Sequence, residues 1–104
     1  MIKVTFFKRG EDFIGFEMKG HSGYAEEGSD IICSAVSSVA YMTANTVTEI
    51  IGTDAEISLD DGYMKFIPEN TADGVQLLLK GMALHLNALA EQYDEYLLCK
   101  EKTV

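Results

Sequence analysis

Hydrophobic and polar positions alternate along the start of the chain. Ile2, Val4 and Phe6 share one side of an extended segment over residues 2 to 8, and Ile14, Phe16 and Met18 share one side over residues 12 to 19. KRGED between them is turn chemistry, so the opening is expected to be a hairpin. After a glycine-spaced segment, residues 20 to 29, the period changes. Ile32, Val36, Val39, Thr43, Val47 and Ile50 recur at three- and four-residue intervals, predicting a helix of about five turns that stops at Gly52. Ser29 or Asp30 is its expected N-cap.

Alternation then returns. Ala55, Ile57 and Leu59 share one side, Asp61-Gly62 offers a two-residue turn, and YMKFI runs back to Pro68. From Asn70 or Thr71 a second amphipathic helix places Val75, Leu78, Leu79, Met82, Leu86, Leu89 and Tyr93 on one stripe, and EYLLCKE closes the chain as a strand. The order β-β-α-β-β-α-β predicts an α+β two-layer sandwich: a largely antiparallel sheet with both helices on one face. No linker or repeat divides it, so residues 1–104 are expected to be a single domain.

Charge narrows the partners. Eight Lys and Arg against seventeen Asp and Glu give a formal net charge of −9. Such a field on average repels phosphate backbones and attracts basic polypeptides. Lys3, Lys8, Arg9 and Lys19 cluster near the N-terminus, but as a sequence feature the group is too small for a nucleic-acid footprint, so no direct nucleic-acid binding is expected. The N-terminus lacks an export-type apolar region, and no apolar run of 18 residues suggests a bilayer span, so a cytoplasmic location without a membrane partner is expected. In that compartment Cys33 and Cys99 read as two separate thiols.

Two residues have candidate chemistry. With a cap at Ser29 or Asp30, Cys33 falls in the first helical turn, where unpaired N–H groups and the positive end of the dipole favour a thiolate and could hold an oxyanion. The competing reading is a small buried hydrophobe between II and SAV. His21 is separated from Cys33 by eleven residues, in a segment where Gly20, Gly23 and Gly28 supply backbone freedom. It is either a solvated loop histidine or a general acid/base within reach of the sulfur. Asp30 is a helix cap or a carboxylate that orients the ring; Glu26 and Glu27 read as a solvated face or a contact for a basic substrate. His85 and Cys99 read as structural. No Cys-x-x-Cys or His-x-x-x-His spacing supports a metal, and GHSGYAEEG lacks the Gly-Lys-Ser/Thr of a phosphate loop, so no cofactor is expected.

The segment GHSGYAEEGSDIICSAVSS, residues 20–38, resembles the signature of a bacterial family, the ribosomal processing cysteine proteases (Prp). That signature runs Gly-His-(Ala/Ser)-Gly-Tyr-Ala, then Gly-x-Asp-(Ile/Val)-(Ile/Val)-Cys, then a small residue, Ala and Val-Ser. The likeness extends over the whole chain. It implies a cysteine endopeptidase with Cys33 as nucleophile and His21 as acid/base, and Asp30, Gly20, Gly23 and Ser34 as supporting positions. The implied substrate is the extended precursor of a large-subunit ribosomal protein, cut after a hydrophobic stretch ending in two phenylalanines, by a homodimer with a mobile loop between histidine and cysteine. Ser22 and Ser34 stand where alanine is common in the family, which alters loop polarity. The alternative from another class is a non-catalytic acidic module that holds a basic ribosomal protein.

Overall fold

The computed structural model describes residues 1–20 and 26–104, with the backbone alone described for residues 26–30. Five strands and two long helices follow the expected order: β1 (Ile2–Arg9), β2 (Asp12–Lys19), α1 (Glu26–Asn45), β3 (Ala55–Asp60), β4 (Tyr63–Pro68), α2 (Asp73–Gln92) and β5 (Leu97–Thr103). The strands form one sheet ordered β3-β4-β2-β1-β5. Among the described residues only β1 with β5 is a parallel pair; the other three pairings are antiparallel. Both helices cover one face, which is the α+β sandwich expected from the pattern.

The core lies between these layers. Val4, Phe6, Phe16 and Phe66 from the sheet meet Val36, Val47, Leu79 and Leu86 from the helices, all essentially inaccessible to solvent. Phe16 and Phe66 pack as a tilted pair with centroids 5.5 Å apart.

One inward position differs from the alternation. Phe7 pairs with Gly15, but Lys8 pairs with Phe13, so Ile14 is an extra residue in β2. This bulge reverses the parity of the strand. Phe13, not Ile14, therefore joins Phe16 in the core, meeting Phe6 edge-on at 5.8 Å. Gly15 beside the bulge leaves room for β4: a Cβ there would strike the Phe66 carbonyl oxygen.

Helix α1 begins at Glu26, ahead of the expected caps. Glutamates favour a helix and their charge suits its positive end, so Glu26 and Glu27 start the helix before the Ser29-Asp30 pair is reached. Gly28 consequently belongs to the helix and not to a loop. At the other end the helix widens into a π-turn, Thr46–Ile51, closed by Gly52 at φ 83° as the sequence anticipates. Each residue of a π-turn advances less around the axis, so Ile50 turns outward, 79% exposed against 39% for Ile51.

The stretch Ile31–Ile51 is, by length and composition, apolar enough to cross a membrane, which corrects the expectation that no such run exists. Ile32, Val36, Ala40, Ala44 and Val47 from it are buried in the core.

In the second hairpin Asp60 pairs with Tyr63 across Asp61-Gly62, and only Gly62 of the two takes a positive φ, 68°. Helix α2 starts at Asp73, after Asn70 Oδ1 accepts the Ala72 N–H at 3.1 Å; the expected start at Asn70 or Thr71 is therefore a turn that precedes the helix.

Candidate active site

Cys33 is the eighth residue of α1, two turns from its start. This corrects the first-turn placement. In the second and third turns backbone N–H groups are engaged by the helix ladder, and the dipole effect is confined to the terminal turn. The start of α1 is therefore not the source of an oxyanion site at Cys33. Ser29 and Asp30 are the fourth and fifth helical residues and not caps, and their side chains lie outside the described set.

What the fold does supply is a cleft. Cys33 is half-buried on the side of α1 that faces the sheet, and it lines a cavity of about 250 Å³ open to solvent. Ile2, Met18 and Met64, from three adjacent strands, contribute apolar surface. Val36 and Tyr41, three and eight residues beyond Cys33, continue the helical wall. Lys19 at the end of β2, with Asp60 and Tyr63 on either side of the turn between β3 and β4, supplies a polar rim. The sulfur is thus neither sealed in the core nor free in water.

Gly20 lines the same cleft. It ends β2 with φ 95°, its N–H donates to the Gly62 carbonyl at 2.9 Å, and a Cβ on it would collide with the Met1 carbonyl oxygen. Only glycine fits this conformation and this approach. His21 is the next residue in the chain; it and Gly23 lie outside the described residues, as does the segment 21–25 expected to close over a substrate. Ser34 is exposed, and Cys33 and Gly20 are the two site candidates that the described structure brings together.

Tyr63 and Glu17 were not singled out by the sequence, and no local pattern marks them. Tyr63 Oη donates to Glu17 Oε2 at 2.8 Å across β4 and β2. That bond, then burial and the Glu17 charge, hold the Tyr63 phenol above its ordinary value. The remaining candidates lie elsewhere. His85 is exposed on α2, where it borders a groove between the helices. Cys99 is half-buried on β5, and burial pushes its thiol up. Both cysteines are free thiols, as expected.

Residues 1–98 match the sequence model of a family described as Cysteine protease Prp. The chain is 33% identical to the ribosomal processing cysteine protease Prp of Bacillus subtilis, over 93% of this chain and 94% of that protein. Its fold superposes on the essential ribosomal processing protease Prp of Staphylococcus aureus, solved with a covalently linked product peptide, with a TM-score of 0.89 at 27% identity, covering 98% of this chain and 100% of that one. A Streptococcus mutans protein gives a TM-score of 0.88 at 32% identity, covering 100% and 96%. A match over nearly the full length, together with a half-buried cysteine in an open cleft, leads to one assignment: the chain belongs to the cysteine protease Prp family and is a cysteine-type endopeptidase.

Proposed function

We propose that this endopeptidase removes an N-terminal extension from a large-subunit ribosomal protein, with Cys33 as nucleophile and His21 as general acid/base, a step needed for ribosome assembly or function. The observation behind this reading is the shared cleft: Cys33 and Gly20, the residue bonded to His21, line one cavity. Relatives named as ribosomal processing proteases supply the substrate class.

In the proposed reaction His21 takes the Cys33 thiol proton and the sulfur attacks the scissile carbonyl carbon, moving the π electrons to oxygen. The tetrahedral intermediate collapses as His21 gives the proton to the departing amine, leaving a thioester. Water, deprotonated by His21, adds to the thioester carbon; the thiolate leaves, the proton returns to it and the acid product departs. The apolar surface from Ile2, Met18 and Met64 beside Tyr41 suits aromatic side chains before the scissile bond. A net charge of −9 suits a basic substrate.

The protein is proposed to work in the cytoplasm, as a single domain in each subunit of a homodimer; Leu77 and Leu84, 73% and 76% exposed on α2, support an apolar contact between copies.

The experiment is incubation of wild type, Cys33→Ser and His21→Ala with the extended substrate, read by mass spectrometry. Wild type is expected to release the N-terminal segment, and each variant to leave the precursor intact. Robust cleavage by either variant overturns the pairing of roles.

A further inference from the structure

We propose that the open face of the sheet, opposite the helices, binds single-stranded RNA through its phosphates. The average charge of the chain conceals this face, because pairing register sorts the lysines onto it. On β1 the outward positions are Lys3, Thr5, Phe7 and Arg9; on β5 they are Leu98, Lys100 and Lys102. These two strands thus present three lysines, one arginine and no carboxylate. On β2, Lys19 stands directly opposite Lys3, and Lys65 on β4 faces outward in the same way.

Seven of the eight basic residues of the chain belong to strands; only Lys80 is on a helix. Six of the seven, all but Lys8, project from the open face. The carboxylates that share the face, Asp12, Glu17, Glu56 and Asp60, number four; Asp12 stands opposite Arg9, and Glu56 and Asp60 are on the distant strand β3. A chain with a formal charge of −9 therefore has one face with a local positive excess.

The arrangement is costly without a partner. Like charges opposite each other on neighbouring strands are destabilising, yet Lys3 and Lys19 form such a pair. Among the described residues the one ion pair is Lys8 with Glu101 at 3.7 Å; Lys65 stands opposite Glu17, whereas Lys3, Lys19, Lys100 and Lys102 have no carboxylate directly across from them. Lys3, Lys19, Lys100 and Lys102 are all exposed. Strand geometry places their roots within about 10 Å across the strands and about 13 Å along them. That is a patch several phosphates long.

Aromatic side chains interleave with the lysines and select the class of polyanion. Phe7 lies on the face and Tyr63 at its edge, where the face meets the cleft, and Lys65 Nζ sits 5.7 Å from the centre of the Phe7 ring. Lysines that follow a backbone, with aromatic rings for bases, are the recurring elements of single-strand binding. A sheet face has no projecting helix to enter a duplex groove, so a single strand fits better than a double helix. Neutralising four phosphates implies a log-log salt slope of about −3, so binding should fall roughly fiftyfold between about 50 and 200 mM salt.

The test is fluorescence anisotropy of a labelled oligouridine of about twelve nucleotides, titrated with the full chain at these two salt concentrations. Saturable binding with a slope near −3 is expected, weakened about tenfold or more by Lys3→Ser with Lys100→Ser, and by Lys100→Ser with Lys102→Ser. Lys80→Ser should leave it unchanged. Circular dichroism checks folding, and the second pair serves if the first is unfolded. Cleavage of a free peptide by the Lys100/Lys102 variant should match wild type, which separates this surface from the active site. No saturable binding at low salt, an equal loss with Lys80→Ser, or equal displacement of the RNA by polyglutamate or by phosphatidylglycerol vesicles overturns the proposal.

Discussion

Gln76 on α2 clamps the main chain of Phe13 on β2: the Phe13 N–H donates to Oε1 at 2.7 Å, and Nε2 donates to the Phe13 carbonyl at 2.6 Å. The two residues are 63 positions apart, and both are buried. The bulge at Ile14 interrupts the ladder at this place, and one side-chain amide satisfies both backbone groups there.

Replacing Gln76 with Leu should therefore cost about 2 to 4 kcal/mol, because two buried backbone groups lose their partners at once. Denaturant unfolding of wild type and Gln76→Leu measures the loss. A change below about 0.5 kcal/mol would show that water replaces the amide without penalty.

Thr43 should respond in the opposite direction. Thr46 and Thr48 donate their hydroxyls to the carbonyls of Met42 and Ala44, but the Thr43 hydroxyl, on a residue 1% exposed, is buried without a partner among the described residues. Thr43→Val keeps the shape and removes the unsatisfied group, so stability should rise by about 1 kcal/mol. Thermal melting reads the sign; a lower midpoint contradicts it.

The two thiols provide an internal comparison. Burial raises the Cys99 thiol, so little of it is thiolate at neutral pH and alkylation there should be slow. Cys33 borders the open cleft and should react first. Iodoacetamide labelling followed by peptide mapping is expected to give a fast phase that Cys33→Ser abolishes and Cys99→Ser preserves. A Cys33 rate no greater than that of glutathione would favour the non-catalytic binding module.

Tyr63 makes a pH prediction. Its phenol is raised in the folded protein first by the hydrogen bond to Glu17, then by burial and by the Glu17 charge. A raised folded value means that the stabilisation is complete below the unfolded phenol value and is lost as pH climbs through the folded one. An ultraviolet alkaline titration should show the Tyr63 phenol ionising late in wild type, and Glu17→Ala should bring that ionisation to lower pH. Unaltered titration in the variant would remove Glu17 as the cause.

Much of the architecture was legible from residue order. Periods of two and of three to four, the Asp61-Gly62 turn and the stop at Gly52 are local signals, set by backbone sterics and by which side of an element is apolar. Ile14 was misplaced because a bulge depends on how two strands pair, and neither strand encodes its partner's register. The start of α1 departs from the cap signal of Ser29 and Asp30 because the glutamates before them already favour a helix. The signature around His21 and Cys33 identified the family, since it is a pattern of residue types that requires no coordinates.

By itself, then, the sequence determined the order of elements, the layer arrangement and the family, because each rests on local periodicity or on an ordered motif. Tertiary structure alone decided that Cys33 borders a cleft with Gly20, that Gln76 seals the bulge, and that lysines dispersed from position 3 to position 102 gather on one face. Those relationships depend on which strands become neighbours and in what register, and that is settled only when the sheet assembles against its two helices.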